Sequence, residues 1–334
     1  MKALVTGGGG FLGRAIVDQL RERGDGVRSF SRQAHPELAK LGIEQLQGDL
    51  SDTAAVARAV AGCDVVFHVA AKAGIWGPYR EYYETNVMGT QNVVAACKKN
   101  AVRRLVFTST PSVVFNGHDE KGINETAPYS DRFLAWYPHT KCAAEAAVLG
   151  ANGPDLATVA LRPHLIWGPG DNHLIPRLIQ RARQGKLIRV GKGENVVDTT
   201  YVDNAADAHL SAADRLAPGS AIGGKAYFLS QGEPMNLWDF INRILALVDL
   251  PPVARSVPAW LAYAAGSAME LKQWLLRSPG EPNMTRFLAR QLSTAHWFDI
   301  SAARRDLGYE PRVSTEKGLK RLGAWLKGKE QSKD

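Results

Sequence analysis

Thr6-Gly7-Gly8-Gly9-Gly10-Phe11-Leu12-Gly13 is the stretch on which the fold turns. Ahead of it lies Ala3-Leu4-Val5, a short strand-like run. Behind it, Phe11, Leu12, Ala15, Ile16 and Leu20 recur at helical spacing until Gly24 ends the pattern. Strand, glycine loop and helix in that order suit a dinucleotide. Gly7 makes the tight turn, Gly10 lets backbone approach a pyrophosphate, and Gly13 lets helix and sheet pack closely. The first helical turn, at Phe11 and Leu12, offers unpaired N–H groups to phosphate oxygens. Glycines make turns of many kinds; the strand before and the helix after give this run its meaning.

Outward from the loop, Val27 to Phe30 reads as a second strand and Ile43 to Leu46 as a short third. Asp52 caps a helix through Val60, and Asp64 to Val69 is a largely apolar strand. Tyr82 to Lys98 is helical, Arg104 to Thr108 a strand, Tyr137 to Leu149 a helix and Leu156 to Leu161 a strand. Such alternation implies right-handed βαβ crossovers and a parallel sheet covered on both faces, a doubly wound α/β fold of Rossmann type. After about Arg162 the alternation becomes irregular, punctuated by Pro163, Pro169, Pro176, Pro251, Pro252 and Pro258. The expected organisation is a dinucleotide-binding core over 1–165 and a smaller lobe over 166–330, interleaved with the last sheet strands. Residues 225–230 return to the sheet, and 331–334 form a tail.

Composition narrows the function classes. The 334 residues are 45% hydrophobic and 22% charged, a globular balance with ample chain for a core. Forty-one Lys+Arg against 33 Asp+Glu give +8, spread along the chain apart from Lys317 to Lys333. No basic patch with interleaved aromatics speaks for nucleic acid. Cys63, Cys97 and Cys142 are isolated, which excludes a disulfide framework and points to a reducing, cytoplasmic compartment. The eight histidines show no HxH or HExxH spacing, so no metal centre is expected. No signal peptide is evident, and Val257 to Met269 is too short to span a bilayer. Peripheral contact with a membrane through this apolar region stays open.

Cofactor choice rests on the end of the second strand. An NAD site usually places a carboxylate there for the ribose 2′-hydroxyl. This chain has Ser31-Arg32, and a hydroxyl with a guanidinium suits a 2′-phosphate, so NADP(H) is expected over NAD(H). Asp49, between Gly48 and Leu50 after the third strand, can take the adenine amino group or serve as a turn residue. Tyr137 and Lys141 stand at i and i+4, on one face of a helix. A phenol titrates near ~10 in water, and a neighbouring ammonium lowers that value. Thr108-Ser109-Thr110-Pro111-Ser112 brings hydroxyls to the carboxyl edge of the sheet, where ligands of open α/β sheets bind.

These motifs resemble the extended short-chain dehydrogenase/reductases over nearly the whole chain. The glycine loop is similar to their cofactor motif and Tyr137-xxx-Lys141 to their catalytic pair. His68-Val69-Ala70-Ala71 resembles the segment beneath the cofactor, which implicates Ala70. Asn86 resembles a helix asparagine that supports the active site. Arg162-Pro163, with Trp167-Gly168-Pro169-Gly170-Asp171 after it, resembles the nicotinamide-side strand and loop, which implicates Pro163. The family's hydroxyl residue aligns with Thr110, a departure from the usual Ser, and Ser109 is the alternative.

Thr285-Arg286-Phe287 and Asp306-Leu307-Gly308-Tyr309 resemble the 3β-hydroxysteroid dehydrogenase-like branch. Ala71 to Gly77, Ser109 to Val113 and Leu161 to His173 are similar to its bacterial 2-alkyl-3-oxoalkanoate reductases. That resemblance implies a ketone reductase acting on a 3-oxo acid with two long alkyl chains. It needs an apolar groove and a cation for the carboxylate; Lys72 is the first candidate, with His164, His139 and Arg177 behind it. The alternative substrate is a 3β-hydroxysteroid or 4-carboxysterol. A non-catalytic dinucleotide sensor is the reading from another class, disfavoured by Tyr137 and Lys141. A homodimer on the two long helices and assembly with other enzymes of olefin biosynthesis are further implications of the resemblance.

Overall fold

The computed structural model describes residues 1–276 and 280–331; residues 332–334 of the expected tail lie outside. Seven strands form one parallel sheet: β1 Lys2–Thr6, β2 Gly26–Ser31, β3 Glu44–Gln47, β4 Val65–His68, β5 Arg104–Thr108, β6 Ala157–Pro163 and β7 Lys225–Leu229. Their spatial order is β7-β6-β5-β4-β1-β2-β3. The chain runs one way from β1 to β3 and then crosses back to β4. A crevice therefore opens at the carboxyl ends of β1 and β4, the place where such sheets bind ligands.

The strands read as near-continuous apolar runs because both sheet faces are covered. Val5, Phe67, Val106 and Val159 lie on one side, in one core with Leu12, Ile16 and Leu20 of α1 (Phe11–Glu22). Leu4, Phe30, Val66 and Leu105 face the other side. There they meet Val56 of α2 (Thr53–Val60), Val93 of α3 (Gly89–Lys99) and Val148 of α4 (Trp136–Gly150). Asp52 caps α2 as expected, its carboxylate accepting from the N–H groups of Ala54 and Ala55.

The helix expected over Tyr82 to Lys98 is broken differently. Helical turns begin at Tyr79–Tyr82, widen to a π-helical segment over Tyr83–Met88, and only then continue as α3. Asn86 sits in the widened segment, and its side chain bonds across to other elements. Such insertions commonly mark functional sites.

Strand exchange joins the two halves of the chain. β7 comes from the second half and pairs with β6 from Lys225↔Val159 to Leu229↔Pro163. In return, Glu120–Ile123 forms the edge of a small sheet with His296–Phe298, Val196–Val197 and Met235–Asn236. Helix α5 (Val202–Arg215) lies against α1, and α6 (Ala259–Leu276) runs along the outside of the lobe. Only Ala262, Gly266 and Glu270 of α6 are buried. Among the described residues, no helix is long and apolar enough to cross a membrane.

Candidate active site

A cleft of about 640 Å³ follows the carboxyl edge of the sheet from β3 across β1 to β5. The glycine loop forms its floor. Gly7 turns at φ +70°, a left-handed conformation that glycine adopts at no steric cost. A Cβ on Gly13 would lie 2.1 Å from the Gly7 carbonyl oxygen, and one on Gly10 3.2 Å from it. No side chain caps the first turn of α1, and Gly10, Phe11, Leu12 and Gly13 all line the cleft. Uncapped N–H groups and a floor without side chains fit a pyrophosphate.

At the β2–β3 end, Ser31, Arg32, Asp49 and Leu50 line the same cleft. Asp49 accepts from the N–H and the hydroxyl of Ser51 at 2.8 and 2.7 Å. These bonds, with the Arg32 guanidinium nearby, hold its carboxyl below the usual carboxylate range. Ser31 donates to the Gln33 carbonyl at 2.8 Å. Ala70 crosses close to Gly7, where an added Cβ would come within 3.1 Å of it. Pro163 ends β6 buried in the sheet and is not among the lining residues.

Tyr137 lines the far end, in the first turn of α4. Burial pushes its phenol up to about 12, and a hydrogen bond with the Thr110 hydroxyl acts in the opposite direction. Thr110 therefore faces the phenol, while the Ser109 hydroxyl is buried without a hydrogen-bond partner. The sequence reading expected Lys141 to lower the tyrosine. Instead its Nζ donates to the Thr108 carbonyl at 2.6 Å and lies 3.9 Å from the centre of the Phe107 ring. In that buried position the amine is pushed down to about 7, with the Glu145 carboxylate one turn along α4 opposing the shift. The phenol thus stays protonated throughout the neutral range.

Glu145 was missed in the sequence, although it stands four residues after Lys141. It is fully buried and pairs with Arg162 at 2.5 and 3.0 Å, and it accepts from the Tyr129 hydroxyl at 2.8 Å. Asn86 ties two walls together. Its side chain accepts from Lys72 N–H at 2.7 Å and donates to the Lys72 carbonyl at 3.1 Å and the Thr140 hydroxyl at 3.0 Å. The loop after β4 and helix α4 are thereby fixed relative to each other. His68, inside β4, is held between the Thr6 and Thr90 hydroxyls at 2.8 and 2.9 Å and pushed down to about 3 by burial. It is a neutral core residue.

The first two substrate candidates, Lys72 and His164, separate. Lys72 lines the cleft, its ammonium 2.6 Å from the Glu81 carboxylate. His164 does not reach the cleft. It is buried beyond the end of β6, its Nδ1 2.5 Å from the Asp198 carbonyl oxygen and its ring against His296 and Phe298. Burial lowers it to about 3, so it carries no charge to offer a carboxylate. His173 is the lining histidine the sequence reading did not single out. Asp171 accepts from the N–H groups of His173, Leu174 and Ile175, which fixes that turn at the cleft edge. Among the described residues, no cluster of His, Cys, Asp or Glu could hold a metal ion.

A parallel sheet with a dinucleotide floor, a protonated tyrosine facing a threonine hydroxyl, and a buried lysine one turn away define an oxidoreductase of the extended short-chain type, dependent on a nicotinamide dinucleotide. The chain belongs to the 3-beta hydroxysteroid dehydrogenase/isomerase family, whose model matches residues 4–258. It is 54% identical to a 2-alkyl-3-oxoalkanoate reductase of Stenotrophomonas maltophilia over 97% of this chain and 99% of the relative. It is 35% identical to the mouse (Mus musculus) sterol-4-alpha-carboxylate 3-dehydrogenase, decarboxylating, over 96% of this chain and 89% of that enzyme. The solved structure of MoeE5 in complex with UDP-glucose and NAD superposes with a TM-score of 0.76 at 24% identity, covering 98% and 99% of the two chains, and shares the fold.

Proposed function

We propose that the protein reduces the ketone of a long-chain 2-alkyl-3-oxoalkanoate to the 3-hydroxy acid, with NADP(H) preferred over NAD(H). The observation that carries the reading is the 54% identity, along nearly the full length of both chains, to a reductase of that substrate class. When bound, the nicotinamide dinucleotide supplies the hydride. The protein supplies the proton and the field.

Tyr137 is protonated at neutral pH and donates its proton to the ketone oxygen as negative charge gathers there. The Thr110 hydroxyl bonds the phenol and shares in holding that oxygen. Lys141, buried behind the cleft wall and held on the Thr108 carbonyl, is the group assigned to the nicotinamide ribose hydroxyls. Gly7, Gly10 and Gly13 admit the pyrophosphate, Asp49 takes the adenine amino group, and Ser31 with Arg32 receives the 2′-phosphate. Lys72, on the cleft wall beside Glu81, is the cation for the substrate carboxylate. General-acid assistance of this kind is worth ~10²–10⁴ in rate.

A sterol substrate is the second reading, supported by the 35% identity to a sterol-4-alpha-carboxylate dehydrogenase. The two separate in a spectrophotometric comparison. NADPH oxidation with 2-alkyl-3-oxoalkanoates is set against NADP⁺ and NAD⁺ reduction with 3β-hydroxysterols. Turnover confined to the keto acids is expected. Turnover confined to sterols would replace the first reading with the second.

A further inference from the structure

Beside the catalytic cleft lies a second hollow of about 670 Å³, bounded by both halves of the chain. Trp76, Phe133, Leu134 and Trp136 form one wall, and Leu271 and Trp274 of α6 form the other. Cleft and hollow share no lining residue, but neighbouring residues of the same two stretches of chain line them. Ala73 lines the cleft and Ile75 the hollow; Tyr137 lines the cleft and its neighbour Trp136 the hollow. Its size falls in the range of pockets that enclose organic ligands, about 300–1,000 Å³.

The walls are fixed before anything binds. The Tyr82 hydroxyl donates to the Trp76 carbonyl at 3.0 Å and pins the loop after β4. On the other side, Glu270 accepts from the Arg286 N–H and Nε at 2.7 and 2.6 Å. Gly266 lets α6 press against Thr285, where a Cβ would come within 2.7 Å of the backbone. Three polar side chains on this hollow, Ser267, Glu270 and Arg286, have protein partners, and the Tyr79 phenol is a fourth polar group there. Ser267 donates to the Tyr263 carbonyl, and Glu270 is engaged by Arg286. The rest of the lining is aliphatic and aromatic, with Trp136 47%, Leu271 55% and Trp274 71% exposed. Exposed aromatic and aliphatic side chains gathered in this way mark a binding surface.

We infer that this hollow binds one of the substrate's two alkyl chains, between Trp136 on one wall and Leu271 and Trp274 of α6 on the other. The inference rests on the proposed reaction, which places a two-chained acid at Tyr137. It adds where one chain goes and which residues set its permitted length. An unbranched chain needs no polar partner, and each methylene it buries is worth roughly a fourfold gain in affinity.

The test uses the full-length protein and two substitutions outside the catalytic machinery: Ser267→Phe, which fills the hollow, and Trp274→Ala, which removes its exposed outer wall. Oxidation of 2-alkyl-3-hydroxyalkanoates by NADP⁺ is followed for a series of alkyl lengths. In the wild-type protein, KM should fall severalfold per added methylene until the hollow is full. Ser267→Phe should flatten that dependence and Trp274→Ala should weaken it, both with the kcat for the shortest substrate unchanged. The same dependence in all three proteins overturns the inference and leaves the proposed reaction standing. If the wild-type protein neither oxidises the series nor reduces the matching 3-oxo acids with NADPH, the proposed reaction fails and a binding measurement decides the hollow. A dibrominated stearate should quench tryptophan fluorescence in the wild-type protein, and less in Ser267→Phe. Equal quenching in the two, or none in either, overturns the inference.

Discussion

Replacing Arg32 by alanine isolates the choice between the two dinucleotides. Arg32 is exposed at the rim of the cleft, so solvent screens its charge and the full strength of a buried ionic hydrogen bond does not apply. A charge-assisted bond to a phosphate is worth about 1.5–3 kcal/mol, and exposure brings the expectation to about 1–2 kcal/mol. That corresponds to roughly a 5- to 30-fold rise in KM for NADPH. Asp49 adds to the effect. Its carboxyl is kept ionised chiefly by Ser51 and only in smaller part by Arg32, so its negative charge remains when the guanidinium is gone. NADH carries no 2′-phosphate, and its KM should stay the same or fall. The assay is kcat/KM for each dinucleotide at fixed keto acid concentration, repeated at high salt. The proposed preference for NADPH should shrink in the wild-type protein as salt screens the contact. An equal loss for both dinucleotides, or no loss for either, would refute the assignment of Arg32 to the 2′-phosphate.

Further outcomes follow from the same geometry. Gly13→Ala drives a methyl group to 2.1 Å from the Gly7 carbonyl, where only backbone can give way. Overpacking of this kind costs about 1–3 kcal/mol, so the melting temperature and dinucleotide affinity should fall together in a thermal melt and a fluorescence titration. Unchanged values in both would mean that the loop is looser than described. The pH profile of kcat/KM for the dinucleotide should show a limb near about 7, where Lys141 titrates. The ammonium is populated below that value and lost above it, so efficiency falls as pH rises. Glu145→Gln removes the carboxylate that holds the lysine up, and the limb should move to lower pH. No second limb from Tyr137 is expected in the neutral range, because its phenol titrates at about 12. A profile flat from about pH 6 to about pH 9 would contradict the role given to Lys141.

Much of this protein is legible in local sequence. The glycine loop, the Asp52 cap and the apolar strands each carry their signal within a few residues, and all seven sheet positions follow from such runs or from the return of β7. What escaped depends on contacts distant in sequence. The π-helical segment over Tyr83–Met88 lies inside an ordinary helical pattern, and Asn86 there bonds to Lys72 and Thr140, 14 and 54 residues away. Glu120–Ile123 shows no strand-like alternation; its place is set by pairing with His296–Phe298. His164 looked available beside an apparent ligand loop, yet β6 carries it into the core, where a neutral imidazole is the stable form. The expected acidifying effect of Lys141 on Tyr137 followed from helical spacing alone. Spacing could not show that the amine turns to the Thr108 carbonyl, or that burial dominates the phenol. The second hollow was hidden because its walls come from segments far apart in the chain, Ile75 to Tyr79 and Phe133 to Trp136 against Ser267 to Trp274, that only the fold brings together.

In the proposed reaction Tyr137 delivers the proton to the substrate oxygen. The most direct test of that role is single-turnover reduction of a 2-alkyl-3-oxoalkanoate by Tyr137→Phe, with the NADPH dissociation constant measured in parallel. Loss of the phenolic hydroxyl should slow the chemical step by about 10²- to 10⁴-fold and leave NADPH affinity within about twofold of the wild-type value. A wild-type rate in that variant would contradict the account.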